Sequence, residues 1–320
     1  MCGQGFIHNE LVTTGLFGIG NHVVITSNYC GNLYSTFWIG NISGDKFSPY
    51  ENATGDGPIG GVVDYGPICL VRTMGGDPTN QVTTPGRRVM IGQLRPFPVD
   101  DPPTAPHRLS SQSLARDITL SDDSPPELLQ QFVPEFKTLR RVSGSSKAKD
   151  GSVVVEGQQF EIYASFSWSG STPQQHFGLC LNGPAASCAA LVVSCEGQDC
   201  QVQARESYNA LDTGSNRKML ELGWTGSQAV AKSAWGGAAT NVTGPMPAIA
   251  LRNKQVRVHC IGDGNILEVI WENRTSTTLY YTPSAANSTL RVFAGGTEAT
   301  VAAWRLAAPA VPAGLSVTVE

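Results

Sequence analysis

No run of about 18 apolar residues occurs anywhere in the 320 residues, so nothing here crosses a membrane as a helix. Charge is scarce: Asp, Glu, Lys and Arg make up 15%, against roughly 25% in an average soluble protein. The 22 Lys and Arg against 26 Asp and Glu leave a net charge of −4 without a basic stretch, which excludes the footprint of a nucleic-acid or anionic-lipid binder. Phosphate-cradling loops are missing too, since Gly57-Pro58-Ile59-Gly60-Gly61 fits neither a P-loop nor a dinucleotide fingerprint. His22, His176 and His259 lie far apart, and no Ser or Cys near them sits in a nucleophile elbow.

Glycine (35) and proline (20) are plentiful, and 41% of the residues are hydrophobic. This composition suits many short strands joined by turns, and the length suits two domains, each with a core. Strands are expected at His22–Ser27, Tyr34–Gly40, Val62–Tyr65, Cys69–Met74 and Arg87–Leu94, separated by turns such as Gly75-Gly76-Asp77-Pro78. Leu128–Phe132, after Pro125-Pro126, is expected to open a short helix that Pro134 curtails. Ser143-Gly144-Ser145-Ser146 reads as a linker, placed at 141–150. Beyond it the pattern changes. Phe160, Ile162, Ala164, Phe166 and Trp168 alternate with Glu161, Tyr163, Ser165 and Ser167, and Val256, Val258 and Cys260 alternate with Arg257 and His259. A period of two marks half-buried strands, so 151–320 is expected to be a β-sandwich. The fold class is all-β.

Eight cysteines and five N-x-[ST] sequons, at Asn41, Asn52, Asn241, Asn273 and Asn287, favour an oxidising, secretory compartment and a glycoprotein. Cys180 and Cys188 are too widely spaced to pair with Cys195 and Cys200 as zinc ligands, so no metal is expected. Cys195 and Cys200 flank the hairpin turn Glu196–Asp199, where they either bridge or remain half-buried thiols. The amino terminus has no basic n-region and no apolar h-region, so a secreted-looking body lacks an export signal and the chain is expected to have lost its beginning. Asp64-Tyr65-Gly66 either presents a carboxylate and a phenol at a strand end or is a plain turn, and Arg87-Arg88 reads as a solvated strand entrance.

In order, the segments resemble the back half of the invertase and fructan hydrolase family, glycoside hydrolase family 32. His22–Ser27 followed by Tyr34–Gly40 is similar to its fourth-blade pattern, Val63-Asp64-Tyr65-Gly66 to its D-[YF]-G element, and Gly86-Arg87-Arg88-Val89 to its R-R-[IV] strand. Ser110–Arg116 resembles the segment that closes the propeller, and Leu128–Arg140 the bridge that follows it. Val256–Val258 through Asp263–Val269 resembles a hairpin of the family's sandwich. The resemblance implies a partial five-bladed β-propeller over 1–140 and a sandwich over 151–320. It also implies a β-fructofuranosidase acting on terminal fructosyl bonds of sucrose or fructans, with Asp64 and Tyr65 as substrate-binding residues and Asp64 bonding sugar hydroxyls. A secreted or vacuolar location and a carbohydrate partner follow; no cofactor does, because acid–base glycosyl transfer needs none.

The departures from the family matter. Its N-D-P and R-D-P motifs do not occur, and where its acid lies in E-C-P this chain reads Met1-Cys2-Gly3. No residue is therefore assigned a catalytic role, and the chain alone is expected to be inactive. The competing readings are a non-catalytic carbohydrate-binding or scaffolding protein, and an unrelated sandwich adhesin.

Overall fold

The computed structural model describes residues 7–13, 22–28, 35–43, 46–51, 57–66, 68–74, 87–94, 111–149, 152–170, 176–181, 188–196, 199–208, 241–264, 266–280, 289–293 and 297–307. They form four antiparallel sheets. The first has the order β1 (Ile7–Thr13), β2 (His22–Asn28), β3 (Thr36–Ser43), β4 (Lys46–Pro49), and β5 (Gly60–Val62) shares the outer edge of β3 with β4. The second comprises β6 (Ile68–Met74), β7 (Arg88–Leu94), β8 (Ser111–Gln112), β9 (Arg116–Leu120) and β10 (Leu128–Phe132), in the order β10-β9-β7-β6 with β8 on β7. Val23, Ile25 and Ile39 of the first sheet join Val71, Met90, Leu94, Ile118 and Leu128 of the second in one buried cluster.

Two six-stranded sheets follow. One runs β11 (Arg140–Ala148), β22 (Glu298–Leu306), β13 (Gln159–Ser167), β18 (Gln255–Asp263), β19 (Ile266–Trp271), β20 (Thr275–Tyr280). The other runs β12 (Val153–Glu156), β21 (Thr289–Phe293), β14 (His176–Leu181), β15 (Cys188–Glu196), β16 (Asp199–Tyr208), β17 (Asn241–Pro245). Both sheets feed a single core, in which Phe160, Ile162 and Phe166 of β13 and Trp271 of β19 meet Phe177, Leu179, Leu191 and Val202 from the opposite sheet. The Phe166 and Phe177 rings lie 5.2 Å apart, within the range of favourable aromatic pairs. One short helix, α1 (Ala248–Asn253), joins β17 to β18. Among the described residues no helix is long and apolar enough to cross a membrane.

The alternation expected from Phe160 to Phe166 is present in β13, with one departure: Glu161, on the face assigned to solvent, is buried. Three expectations are corrected. Residues 141–148, taken as part of a linker, continue β11, whose backbone pairs along β22 from Arg140↔Leu306 to Ala148↔Ala299. The Gly/Ser composition of a flexible segment here belongs to an edge strand. Leu128–Phe132 is a strand rather than a helix, and Leu128, Gln130 and Phe132 are its buried face. A polar residue in the middle of that face hides the period of two. Val62–Tyr65 is strand only as far as Val62.

Because β11 completes the sheet, a chain beginning at Arg140 is expected to melt cooperatively and several degrees above one beginning at 151. Thermal circular dichroism of the two shortened chains checks this; equal melting temperatures would show β11 to be dispensable.

Candidate functional site

After β5 the chain turns inward. Val63 N donates to Ser35 O (2.8 Å) and Tyr65 N to Ser276 O (2.9 Å), which lays residues 63–66 against β20. Gly66 ends this turn because a Cβ there would stand 2.0 Å from Thr278 O; only glycine allows so close an approach. The turn inserts Asp64 into a closed space where it is 1% exposed. Its Oδ1 accepts from Gly66 N (2.6 Å) and Thr278 N (3.1 Å). Its Oδ2 accepts from Ser276 Oγ (2.5 Å), Thr278 Oγ1 (2.8 Å) and Arg116 Nη2 (3.0 Å).

Arg116, on β9, is wholly buried. Its Nη2 also donates to Glu268 Oε2 on β19 (2.6 Å), and its Nη1 to Ser276 Oγ (2.7 Å) and Gln130 Oε1 (3.2 Å). Gln130 Nε2 donates onward to Val63 O (2.7 Å), and Glu268 Oε1 accepts from Leu114 N (2.6 Å). Burial opposes the charge of Arg116, but its two carboxylates outweigh that and raise its pKa. Burial pushes the Glu268 carboxyl up; Arg116 pulls it part of the way back and the neighbouring Asp64 charge adds to the rise.

Five protein donors enclose the Asp64 carboxylate, which thereby joins Arg116 of the second five-stranded sheet to Ser276 and Thr278 of β20. Tyr65 packs in the core of the two six-stranded sheets, its ring facing Gly244.

A second carboxylate on the same sheet is held similarly. Arg140 grips Glu161 with Nε and Nη2 (2.6 and 2.7 Å), and His259 Nε2 lies 2.9 Å from Glu161 Oε1. The Arg140 guanidinium stacks 3.7 Å above the Trp304 ring, and Tyr163 stacks on His259 at 3.7 Å. Burial pushes Glu161 up, but its bonds with Arg140 and His259 outweigh that and hold the carboxyl at about 2. Burial pushes the His259 imidazole down, against the opposing pull of Glu161. Near the surface, Arg87 is held by Asp117 (2.7 Å) and by both oxygens of Glu135, and Arg274 by Glu127 and Asp123. On β18, Arg257 spans Glu272.

Cys195 and Cys200 face each other across the β15–β16 hairpin and are joined by a disulfide, with Cα atoms 4.1 Å apart. Cys180 is also disulfide-bonded, whereas Cys260 is a buried free thiol whose pKa burial pushes up. Of the sequons, Asn41 on β3 and Asn273 in the β19–β20 turn are exposed. Asn241 opens β17, and Asn52 and Asn287 lie outside the described residues. Met1-Cys2-Gly3 also lies outside them.

Sequence reasoning missed Arg116, Glu268, Ser276 and Thr278, although it had marked the segments around the first two. The available signal was an arginine next to an apolar strand, with Ser276 and Thr278 alternating along Thr275–Thr278.

No protein-family model matches the chain, and no curated protein matches it in sequence. Solved structures do. A sucrose-6-phosphate hydrolase from Lactobacillus gasseri superposes with a TM-score of 0.63 at 16% identity, over 93% of this chain and 54% of its own. A GH32 β-fructofuranosidase from Bombyx mori does so at 0.57 and 14%, over 93% and 53%, and has also been solved as a variant in complex with sucrose. A fructan 1-exohydrolase variant from Cichorium intybus, in complex with 1-kestose, gives 0.60 and 15%, over 89% and 56%. The likeness is one of fold: the chain has the fold of these glycoside hydrolase family 32 enzymes over the part it spans, about half of their length.

Three variants test the charge pairs. Arg116→Met strands two buried carboxylates and is expected to cost about 3–5 kcal/mol in urea unfolding. Glu268→Gln should cost less. It should also gain on the wild type as pH rises, because a carboxyl with a raised pKa contributes stability below its unfolded value and loses it as pH rises through the folded one. Glu161 has the opposite sign. Its contribution is complete above about 4.5, its unperturbed value, and is lost as pH falls towards about 2. Arg140→Gln should accordingly move the acid-unfolding midpoint upward, as read by circular dichroism.

Proposed function

We propose that the chain forms the closing portion of a β-fructofuranosidase-type glycoside hydrolase, the class acting on terminal fructosyl bonds of sucrose or fructans. The two five-stranded sheets are then its last propeller blades, within 1–140, and the two six-stranded sheets its carboxyl-terminal sandwich. The observation that carries the reading is the superposition of 93% of the chain on the Lactobacillus gasseri hydrolase. The hairpin disulfide and the exposed Asn41 and Asn273 sequons support a secreted or vacuolar glycoprotein.

Cleavage is a separate matter. A retaining glycosidase needs a nucleophilic carboxylate and a protonated carboxyl about 5–5.5 Å apart, both facing the substrate. The buried carboxylates described here, Asp64, Glu161, Glu268 and Glu272, are all engaged by arginines. Among the described residues these buried carboxylates are therefore read as fold and support rather than as the reacting pair. The same observation favours the second reading, a non-catalytic carbohydrate-binding or scaffolding protein.

Purified 1–320, free of host invertase, is expected to release no fructose from sucrose, inulin or levan above background. Loss of the acid alone removes about 10²–10⁴-fold, and the covalent route is lost with it. Robust sucrose hydrolysis would overturn the inactive reading. If upstream coding sequence supplies in-frame N-D-P and R-D-P motifs and a glutamate before Cys2, the longer protein should release fructose; failure to do so favours the scaffolding reading.

A further inference from the structure

At one end of the six-stranded sheets, two glycine turns lie side by side. Gly157, with φ of +119°, lies in the turn between β12 and β13, and Gly264, with φ of +60°, in the turn between β18 and β19. Gly264 N donates to Gln158 O (3.1 Å) and Gln159 Nε2 to Asp263 Oδ1 (2.9 Å), so the turns are tied to each other by backbone and by side chain. Arg305, near the end of β22, lays its guanidinium over Gly157, where a Cβ would stand 3.3 Å from Nε and 3.4 Å from Nη2. A Cβ at Gly264 would meet nothing within 4 Å.

The result is an open groove of about 350 Å³ lined by Gly157, Gln159, Asp263, Gly264, Arg305 and Leu306. Its polar groups are under-used. Arg305 is exposed and has no partner among the described residues; the Asp263 and Gln159 side chains spend one acceptor and one donor on each other. What remains is a guanidinium fork that donates, beside a carboxylate oxygen and an amide oxygen that accept.

That mixture selects its ligand. A phosphate or sulfate would meet the Arg305 cation but face the Asp263 carboxylate, whereas neighbouring hydroxyls both donate and accept and satisfy both signs at once. The volume is at the small end of ligand sites, which run to roughly 300–1,000 Å³, and so suits one or two sugar rings. The bare glycine turns let a ring approach the backbone.

We propose that this groove is a saccharide-binding subsite that takes a neutral mono- or disaccharide through its vicinal hydroxyls. It is independent of the hydrolase reading, because none of its residues belongs to the Arg116 or Glu161 clusters. An open polar groove competes with water, so binding is weak, with Kd on the order of millimolar.

The test uses the full 320-residue chain in saturation-transfer NMR and calorimetry, with fructose, glucose and sucrose at up to roughly 50 mM and sodium sulfate as the anion arm. Wild type should bind at least one of the sugars and not sulfate. Arg305→Gln, at an exposed position, should melt as wild type does and weaken sugar binding at least fivefold. Gly264→Asn, which a left-handed backbone tolerates, should occlude the groove and do the same. No sugar binding, sulfate binding alone, or sugar binding unchanged in Arg305→Gln would each overturn the proposal. Because binding is read without turnover, the result stands whether or not fructose is released.

Discussion

The guanidinium of Arg116 holds the described parts of the molecule together. It extends from β9 into the outer face of β19 and β20, where it meets Glu268, Ser276 and Thr278, and it closes on Asp64 from the turn after β5. A cation wholly removed from water needs its charge matched and most of its donors used. Two carboxylates, two hydroxyls and an amide oxygen from four separate stretches of chain match the charge and take both Nη groups, while Nε has no hydrogen-bond partner among the described residues. Hydrophobic contact between Phe132, Ile261 and Ile270 seals the same junction from water. The apolar seal strengthens the polar bonds by lowering the local dielectric, and the polar bonds fix the register that the apolar contact alone leaves loose.

The fold was largely legible because its strands carry their period in the sequence. β2, β6, β7 and β13 were expected within a residue or two, and β18 over its first half, since each alternates or runs apolar between turns. Two of the failures share one cause, which is burial of polar residues. Gln130 sits on the inner face of β10 to serve Arg116 and Val63, so its strand reads as helical. Glu161 sits beneath Arg140 and His259, so a face read as solvent is half closed. Ser143–Ser146 has the composition of a linker because an edge strand beside Trp304 tolerates small residues. The candidate site was harder still. Asp64 was legible as a carboxylate at a strand end, but apart from Gly66 its partners lie 52 to 214 positions away, and no local pattern announces them.

The carboxylates also bear on what the architecture can do. An enzyme that breaks glycosidic bonds keeps its acidic groups at the substrate and tunes them there. Among the described residues four acidic side chains, Asp64, Glu161, Glu268 and Glu272, are turned inward and paired with arginines, one of which stacks on Trp304 and another of which is shared by two carboxylates. Chemistry and cohesion place opposite demands on the same residue type, and in these buried clusters cohesion has the carboxylates.

The pairing order of the third sheet has a consequence for biosynthesis. β22, at 298–306, lies between β11, at 140–148, and β13, at 159–167. Two strands made early are thus separated by one made late, and neither can complete its ladder until residue 306 or so has cleared the ribosome. Through the synthesis of well over a hundred residues, β11 and one edge of β13 stay open to wrong partners. Vectorial folding, which favours most chains, here imposes a wait, in which unpaired strand edges are exposed to misassembly.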